Sequence, residues 1–346
     1  HKNGLKQKHI IAAVLVKINR KMRKILKNCI SGFCGPKTRG VEVDFRMNWN
    51  QIRTDLALEA KELWEQDPSH TTELRGVLAR ETKQKGVIVN TVQILDEEGE
   101  QQLGKPVGTY VTLDLVDYGK KERDSLRWAA QVLAGQLRSL LPLKKGQSVL
   151  VAGLGNEAVT PDAIGPKVVR QLVVTRHLVE RMPTLFGAYR PVSAIAPNVL
   201  GLTGLESAEV VGGVVDRAGP DCMIVVDALA ASDLRRVCRT VQLADTGITP
   251  GSGVQNGRAA FNQDRFGIPV IAVGVPTVAH VPTVARLYDE TLDQDGVDKL
   301  TGGQSMVITP QDMDAQVERL SKLVAWGINL ALQESMDLED IAFFVE

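Results

Sequence analysis

Two short apolar runs, each followed by an aspartate, constrain the fold of this 346-residue chain more than any other feature. The first run, 148–152, leads through the turn Gly-Leu-Gly-Asn at 153–156 to Asp162, where a helix is expected to begin. The second run, 222–226, ends directly at Asp227. Because the carboxyl ends of parallel strands meet at one crevice of an open α/β sheet, we expect the two carboxylates to face one site. Burying a carboxylate is unfavourable, so such groups usually bind something or take part in a reaction.

The pattern around these runs predicts the fold class. From residue 148 onward, short apolar strands alternate with helical stretches, which is typical of a parallel sheet covered by helices. Nearer the N-terminus, two strands rich in β-branched residues flank a turn and predict an antiparallel pair. The sequence thus predicts a three-layer α/β domain with a mainly parallel sheet and an antiparallel N-terminal extension. The predicted strands are 86–95, 109–116, 148–152, 191–195, 222–227, 239–244 and 269–275, and the predicted helices are 54–65, 120–141, 163–180, 205–217 and 310–334.

Charge is distributed unevenly, although the formal net charge is zero. Residues 1–46 contain twelve Lys and Arg against two acidic residues, so the remaining chain is acidic. The basic segment could bind nucleic acid or a membrane surface, and its apolar run 10–16 weakly resembles a signal-peptide core that no cleavage site follows. We expect residues 1–46 to be a non-native or disordered extension, with translation naturally beginning at Met47. Four cysteines without a convincing export signal fit a cytoplasmic protein.

The two aspartates suggest a reaction when they are considered together. Asp162 alone could be a helix N-cap, whereas the apolar residues 228–231 after Asp227 offer it no polar partner. Two carboxyl groups held close together cannot both ionise freely, so one keeps its proton near neutral pH. Such a pair can supply a general base that activates water and an acid that protonates a leaving group.

Other kinds of site fit the sequence less well. The turn at 153–156 begins a partial dinucleotide-binding fingerprint in which alanine at 158 is tolerated, but Pro161 and Gly165 interrupt the helix that should receive the pyrophosphate. Ser252 lies between two glycines, but no strand leads into it as a nucleophile elbow requires. A metal site would need His177 or His280 to join the aspartates, but a helical histidine such as His177 is more often at the surface or at a helix end than a ligand.

A series of short motifs resembles the germination protease family of endospore-forming bacteria. The resemblance extends over residues 51–332, and so many matches in order are more specific than any single motif. The motifs are TDLA (54–57), KGVIV (85–89), GLGN (153–156), TPDA (160–163), VTRHL (174–178), RPVS (190–193), VDAL (226–229), DTG (245–247), PGSG (250–253) and GIPVI (267–271).

The resemblance implies an endopeptidase that degrades small acid-soluble proteins coating spore DNA, in the cytoplasm of the forespore or spore core. It implies that Asp162 and Asp227 are the catalytic pair, with water attacking the peptide carbonyl and with no metal or cofactor. It further implies a homotetramer, with no direct role in nucleic-acid or membrane binding. Further candidates for the substrate cleft, which could equally be structural, are Asn156, Arg176, Arg190, Thr246 and Ser252.

The family is made as a zymogen that removes a short N-terminal segment by its own activity. The matching position here is RTDLALE at 53–59, which is similar to substrate sites with an acidic residue before the cut and Ala and Glu after it. We predict cleavage between Asp55 and Leu56. This cut divides the chain into the extension 1–46, a propeptide 47–55 and a single α/β peptidase domain 56–346.

Two alternatives remain open. Hydrogenase maturation endopeptidases also carry Gly-x-Gly-Asn followed by an aspartate, and they use acidic residues to bind nickel in their substrate, so nickel dependence would favour that function. A nucleic-acid-binding protein that uses residues 1–46 would instead show binding that weakens steeply with salt.

Overall fold

One mixed sheet of nine strands runs through the part of the chain that the structure describes. The structure is a computed structural model, and it describes residues 54–67, 70, 73–115, 125–251, 258–289 and 292–345. The predicted extension 1–46, most of the predicted propeptide and Ser252 lie outside the described residues.

The sheet has a parallel half and an antiparallel half that meet at the longest strand. The strands follow the order β1-β2-β3-β7-β8-β6-β4-β5, with β9 paired to the end of β8. Strands β5, β4, β6 and β8 are parallel, whereas β1, β2, β3 and β7 are antiparallel to their neighbours. The strands are β1 (Val77–Gln84), β2 (Val87–Ile94), β3 (Gly108–Asp114), β4 (Val149–Gly153), β5 (Val192–Ile195), β6 (Cys222–Ala231), β7 (Thr240–Ala244), β8 (Val270–His280) and β9 (Val307–Ile308).

Helices cover both faces of the parallel half, because its strands are apolar on both sides. Val149 and Val151 of β4 belong to the core that contains the helices at 125–140 and 313–332, whereas Leu150 and Ala152 belong to the core that contains the helix at 207–218. The predicted three-layer α/β fold with an antiparallel extension is therefore confirmed. The helices are α1 (Ala57–Gln66), α2 (Glu97–Leu103), α3 (Ser125–Leu140), α4 (Ile164–Val169), α5 (Arg176–Arg181), α6 (Pro183–Phe186), α7 (Leu200–Thr203), α8 (Ser207–Ala218), α9 (Gln263–Phe266), α10 (Val281–Tyr288), α11 (Gln294–Thr301), α12 (Met313–Leu332) and α13 (Leu338–Val345).

Several elements differ from the prediction, and three of the differences have a clear physical reason. Strand β7, expected among the parallel strands, runs antiparallel to both β3 and β8 and joins the two halves of the sheet. The helix predicted over 163–180 is interrupted after α4, because Val173 bonds through its N–H to the Asn329 side chain and Thr175 bonds to the Arg190 carbonyl. Strand β1 was not predicted, because its mainly exposed, polar residues lack the alternation of a buried strand.

Candidate active site

The turn after β4 brings Asp162 beside Asp227. Strands β4 and β6 are parallel neighbours, with Gly153 opposite Val226, so the chain leaving β4 passes next to Asp227. It returns through a short 3₁₀ turn, Thr160–Asp162. This close approach requires glycine at position 155, whose φ is +111° and where a Cβ would lie 2.0 Å from the Asp162 carbonyl oxygen.

Both aspartates line one cavity of about 230 Å³ at the carboxyl ends of the parallel strands. Asp55, Glu206 and Arg258 also line this cavity, which brings four carboxyl groups and one guanidinium to the same space. Asp227 is 4% exposed, and its Oδ1 accepts the N–H of Ala228 at 2.9 Å. Asp162 accepts the N–H of Asn156 through Oδ2 at 2.7 Å. The position of the pair follows the rule that ligands bind at the carboxyl ends of strands in open α/β sheets.

The surroundings raise the pKa of both aspartates, but not to the same degree. Burial is the main cause of the raised pKa of Asp162, while the Asn156 N–H and Arg258 oppose it. The pKa of Asp227 is raised well above its ordinary value, first by burial, then by the charge of Asp162 and, less, by that of Asp55. These surroundings therefore favour the protonated form of Asp227 more strongly than that of Asp162.

The segment predicted to be cut lies across the end of β6. The Asp55 N–H donates to the Ala230 carbonyl at 3.0 Å, and the Ala230 N–H donates to Asp55 Oδ2 at 2.8 Å. Lys105 Nζ donates to the Thr54 carbonyl at 2.9 Å, and burial lowers the pKa of this amine against the nearby charges of Asp55 and Glu59. The next residue, Leu56, is fully buried. The two sides of the Asp55–Leu56 bond are thus fixed by contacts from different elements.

Glu59, four residues after Asp55, is held in a pocket of hydrogen-bond donors. Its Oε2 accepts the N–H and the hydroxyl of Ser232, both at 2.6 Å, and its Oε1 accepts the Asp233 N–H at 3.1 Å. Arg236 approaches the same carboxylate at 3.7 Å, and the Thr54 hydroxyl donates to it as well. The carboxylate therefore links α1 to the residues that follow β6.

The other predicted cleft residues lie in different places. Asn156 supports Asp162 through its N–H, and its side-chain Oδ1 accepts the Ala158 N–H at 3.0 Å. Arg176 is ion-paired with Glu180 at 2.8 Å on α5. Arg190 donates to the carbonyl groups of residues 144 and 147, at the amino end of the parallel strands. Thr246 donates to the Tyr110 hydroxyl at 3.2 Å. Asn156, Arg176, Arg190 and Thr246 do not line the cavity, and Ser252 is outside the described residues.

Two residues of the site were missed in the sequence. Arg258 is the cation that lowers the pKa of both aspartates. It follows a Gly- and Pro-rich stretch, from which the sequence does not predict where the Arg258 side chain lies. Gln242 lies in the largely apolar strand β7 and contacts residues 55 and 57. A buried glutamine within such a strand is the only signal that the sequence carried.

The described residues contain no group of three or more His, Cys, Asp or Glu side chains arranged to hold a metal ion. Within the same residues, no helix has the length and apolar content needed to span a membrane.

Comparison with known proteins identifies the family. A sequence model described as "Germination protease" matches residues 57–294. A germination protease of Clostridium perfringens is 41% identical over 323 residues, which cover 85% of this chain and 99% of the relative. The chain belongs to the germination protease family. Relatives of the same name occur in Caldanaerobacter subterraneus, at 42% identity over 82% of this chain and 95% of the relative, and in Priestia megaterium, at 32% identity over 88% and 100%.

A solved structure was also found to be similar. The [NiFe] hydrogenase maturation protease HycI of Thermococcus kodakarensis KOD1 is 16% identical and has a TM-score of 0.32, covering 56% of this chain and 98% of that one. A likeness of this size carries no conclusion about activity. Membership of the germination protease family makes the chain a peptidase, and the family match includes Asp162, Asp227 and Gln242.

Proposed function

We propose that this germination protease is an aspartate-dependent endopeptidase that begins the degradation of small acid-soluble spore proteins in the spore core. The observation that carries the proposal is the cavity shared by Asp162, Asp227 and Asp55. Two of these carboxyls have raised pKa values, and the third belongs to the segment that resembles a substrate site. A peptidase that cuts beside acidic residues needs this combination of a reactive pair and a position for an acidic side chain.

The surroundings of the pair suggest a role for each aspartate. Asp227 carries the proton, because burial and the charge of Asp162 raise its pKa well above the ordinary value. Asp162, whose carboxylate accepts the Asn156 N–H, is the base that takes a proton from water. The water oxygen bonds to the peptide carbonyl carbon, the C–N bond then breaks, and the departing nitrogen takes the proton of Asp227. The observed pH dependence belongs to the coupled pair.

The same activity removes the propeptide by cutting between Asp55 and Leu56. Support comes from the contacts on both sides of this bond: Ala230 and Lys105 hold the acyl side, and the pocket around Glu59 holds the amino side. The resemblance to the family further leads us to propose a zymogen, a homotetramer and a location in the forespore.

The proposal is tested by mass spectrometry of a small acid-soluble spore protein incubated with protein that begins at Leu56. Asp162→Asn and Asp227→Asn variants and a chelator control are run in parallel. We expect cuts at a few acidic sites that both substitutions abolish and that the chelator leaves unchanged. Cuts that are lost with the chelator would favour a metal-dependent maturation-type endopeptidase. Cuts that persist in both variants would show that the carboxyl pair is structural.

A further inference from the structure

Both the nitrogen and the oxygen of the buried Gln242 amide make hydrogen bonds, and both partners belong to the segment that is predicted to be cut. The side chain is 7% exposed. Its Nε2 donates to the Asp55 carbonyl oxygen at 3.1 Å, and its Oε1 accepts the Ala57 N–H at 2.8 Å. A carbonyl only accepts and an N–H only donates, so the two partners fix the orientation of the amide.

The position of Gln242 in the sheet relates it to the aspartate pair. In the antiparallel pairing of β7 and β8, Gln242 is opposite Gly274. In the parallel pairing of β6 and β8, Asp227 is opposite the same glycine. Laterally paired residues project from the same face of a sheet, so Gln242 and Asp227 flank Gly274 on one face with their Cα atoms roughly 10 Å apart. Leu229 packs over the glycine between them.

The carbonyl that Gln242 contacts is the one that would be attacked. When water adds to the Asp55 carbonyl carbon, its oxygen becomes an oxyanion, and a donor already placed on that oxygen is strengthened as charge develops. An amide supplies this donor but does not ionise, so it does not take part in the proton transfers of the aspartates. The distance of 3.1 Å is within the range of a hydrogen bond to a developing oxyanion.

We propose that Gln242 is a catalytic residue of self-cleavage, which donates through Nε2 to the oxyanion formed at the Asp55 carbonyl. This inference rests on the proposed cut between Asp55 and Leu56. The other end of the amide has a separate task, since Oε1 binds the Ala57 N–H and so holds the start of α1. One side chain thereby keeps the bond to be cut in register with the residues beyond it.

The test measures the rate of self-cleavage in the full-length chain. Intact-mass spectrometry follows the appearance of the chain that begins at Leu56, in the unsubstituted protein and in Gln242→Met, which keeps the length of the side chain but removes its donor and acceptor. We expect the first-order rate to fall about 100-fold, the usual effect of losing one oxyanion donor. Thr240→Val is the matched control: Thr240 is buried two residues earlier on the same strand, and its hydroxyl bonds to the Arg236 carbonyl, so the rate should change little.

Folding is separated from chemistry by measuring Tm in chains that also carry Asp227→Asn and cannot cut themselves. If Gln242→Met does not fold, Gln242→Glu decides, because it keeps the acceptor for Ala57. Its carboxyl donates only when protonated, so its self-cleavage should be slow at neutral pH and recover in part as the pH falls. A merely structural role of Gln242 predicts no such change in the pH profile.

The outcomes distinguish this inference from the proposed function. A folded Gln242→Met chain that cuts itself within about threefold of the unsubstituted rate overturns the role of Gln242 alone. A Gln242→Glu chain with an unchanged rate and pH profile does the same. If the unsubstituted chain does not cut between Asp55 and Leu56, the proposed processing is wrong and the role of Gln242 falls with it.

Discussion

Two buried carboxyl groups, Glu59 on α1 and Asp227 on β6, have very different surroundings. Glu59 is 1% exposed and accepts hydrogen bonds from the Ser232 N–H, the Ser232 hydroxyl and the Asp233 N–H, with Arg236 beside it. Asp227 is 4% exposed, accepts the N–H of the residue that follows it, and lines the same cavity as Asp162. Burial is nearly equal, so burial does not distinguish the two.

The difference lies in what the protein supplies to the charge. Around Glu59, donors and a cation replace the hydration that the carboxylate loses, which makes it an anchor for α1. Around Asp227, the charged group that affects its pKa most is another acid, Asp162, which favours the protonated form. A carboxyl that keeps its proton near neutral pH can donate it in a reaction, and an anchored carboxylate cannot.

Asp227→Asn should have the largest effect on activity. Asparagine keeps the shape of the side chain but cannot release a proton to the departing nitrogen, so we expect peptide cleavage to fall about 1,000-fold. Chains that begin at Leu56 are compared in an assay with a small acid-soluble spore protein. Asp216→Asn, an exposed change on α8, is the control and should leave the rate unchanged. Equal rates in the two variants would contradict the assignment of Asp227.

Glu59→Ala should instead have its main effect on stability. Removing the carboxylate leaves the N–H groups of residues 232 and 233 without their acceptor, so we expect a loss of about 3 kcal/mol in the free energy of unfolding. Urea denaturation in chains that also carry Asp227→Asn measures this without self-cleavage. Glu62→Ala removes the more exposed partner of Arg236 and should cost at most about 1 kcal/mol. Similar losses in both variants would mean that Glu59 is no anchor.

Local sequence pattern predicted the aspartate pair but not the donors around Glu59. Asp162 and Asp227 were recognised because each follows an apolar strand, and the carboxyl ends of such strands meet. Their cavity is therefore where the pattern predicted. Glu59 was recognised only as part of a motif, because its donors at 232 and 233 are distant in sequence. The placement of Gln242 and Asp227 on either side of Gly274 depends on the pairing of β7 with β8. The apolar pattern of β7 did not reveal that this pairing is antiparallel.

The raised pKa of Asp227 also predicts a pH dependence of stability. An aspartate whose pKa is higher in the folded chain holds its proton more tightly there, so its contribution to stability falls as the pH rises above the unfolded value of about 3.9. Asparagine does not titrate. We therefore expect Asp227→Asn to gain stability relative to the unsubstituted chain as the pH rises from acidic to neutral.

Urea unfolding at a series of pH values tests this expectation, and both chains carry Asp162→Asn to prevent self-cleavage. That substitution removes one cause of the raised pKa but leaves burial, the larger one. Asp216→Asn again serves as the exposed control, for which the difference should stay small across the series. A difference between the Asp227→Asn and parent chains that shrinks as the pH rises would show that the fold stabilises Asp227 as a carboxylate.

Arg258→Gln should have the smallest effect. It removes the cation from the cavity of the aspartate pair, whereas the pocket of Glu59 keeps its cation. Arg258 lowers the pKa of both aspartates, so its removal should raise both and move the whole pH–rate profile towards higher pH. We expect activity to fall about threefold on the acidic side, where the base must lose its proton, and to persist further on the basic side. Arg265→Gln, on the exposed surface of α9, is the matched control. A loss of activity at all pH values without a shift would instead mean that Arg258 binds substrate, because binding energy would be lost while the titration of the carboxyl pair stayed the same.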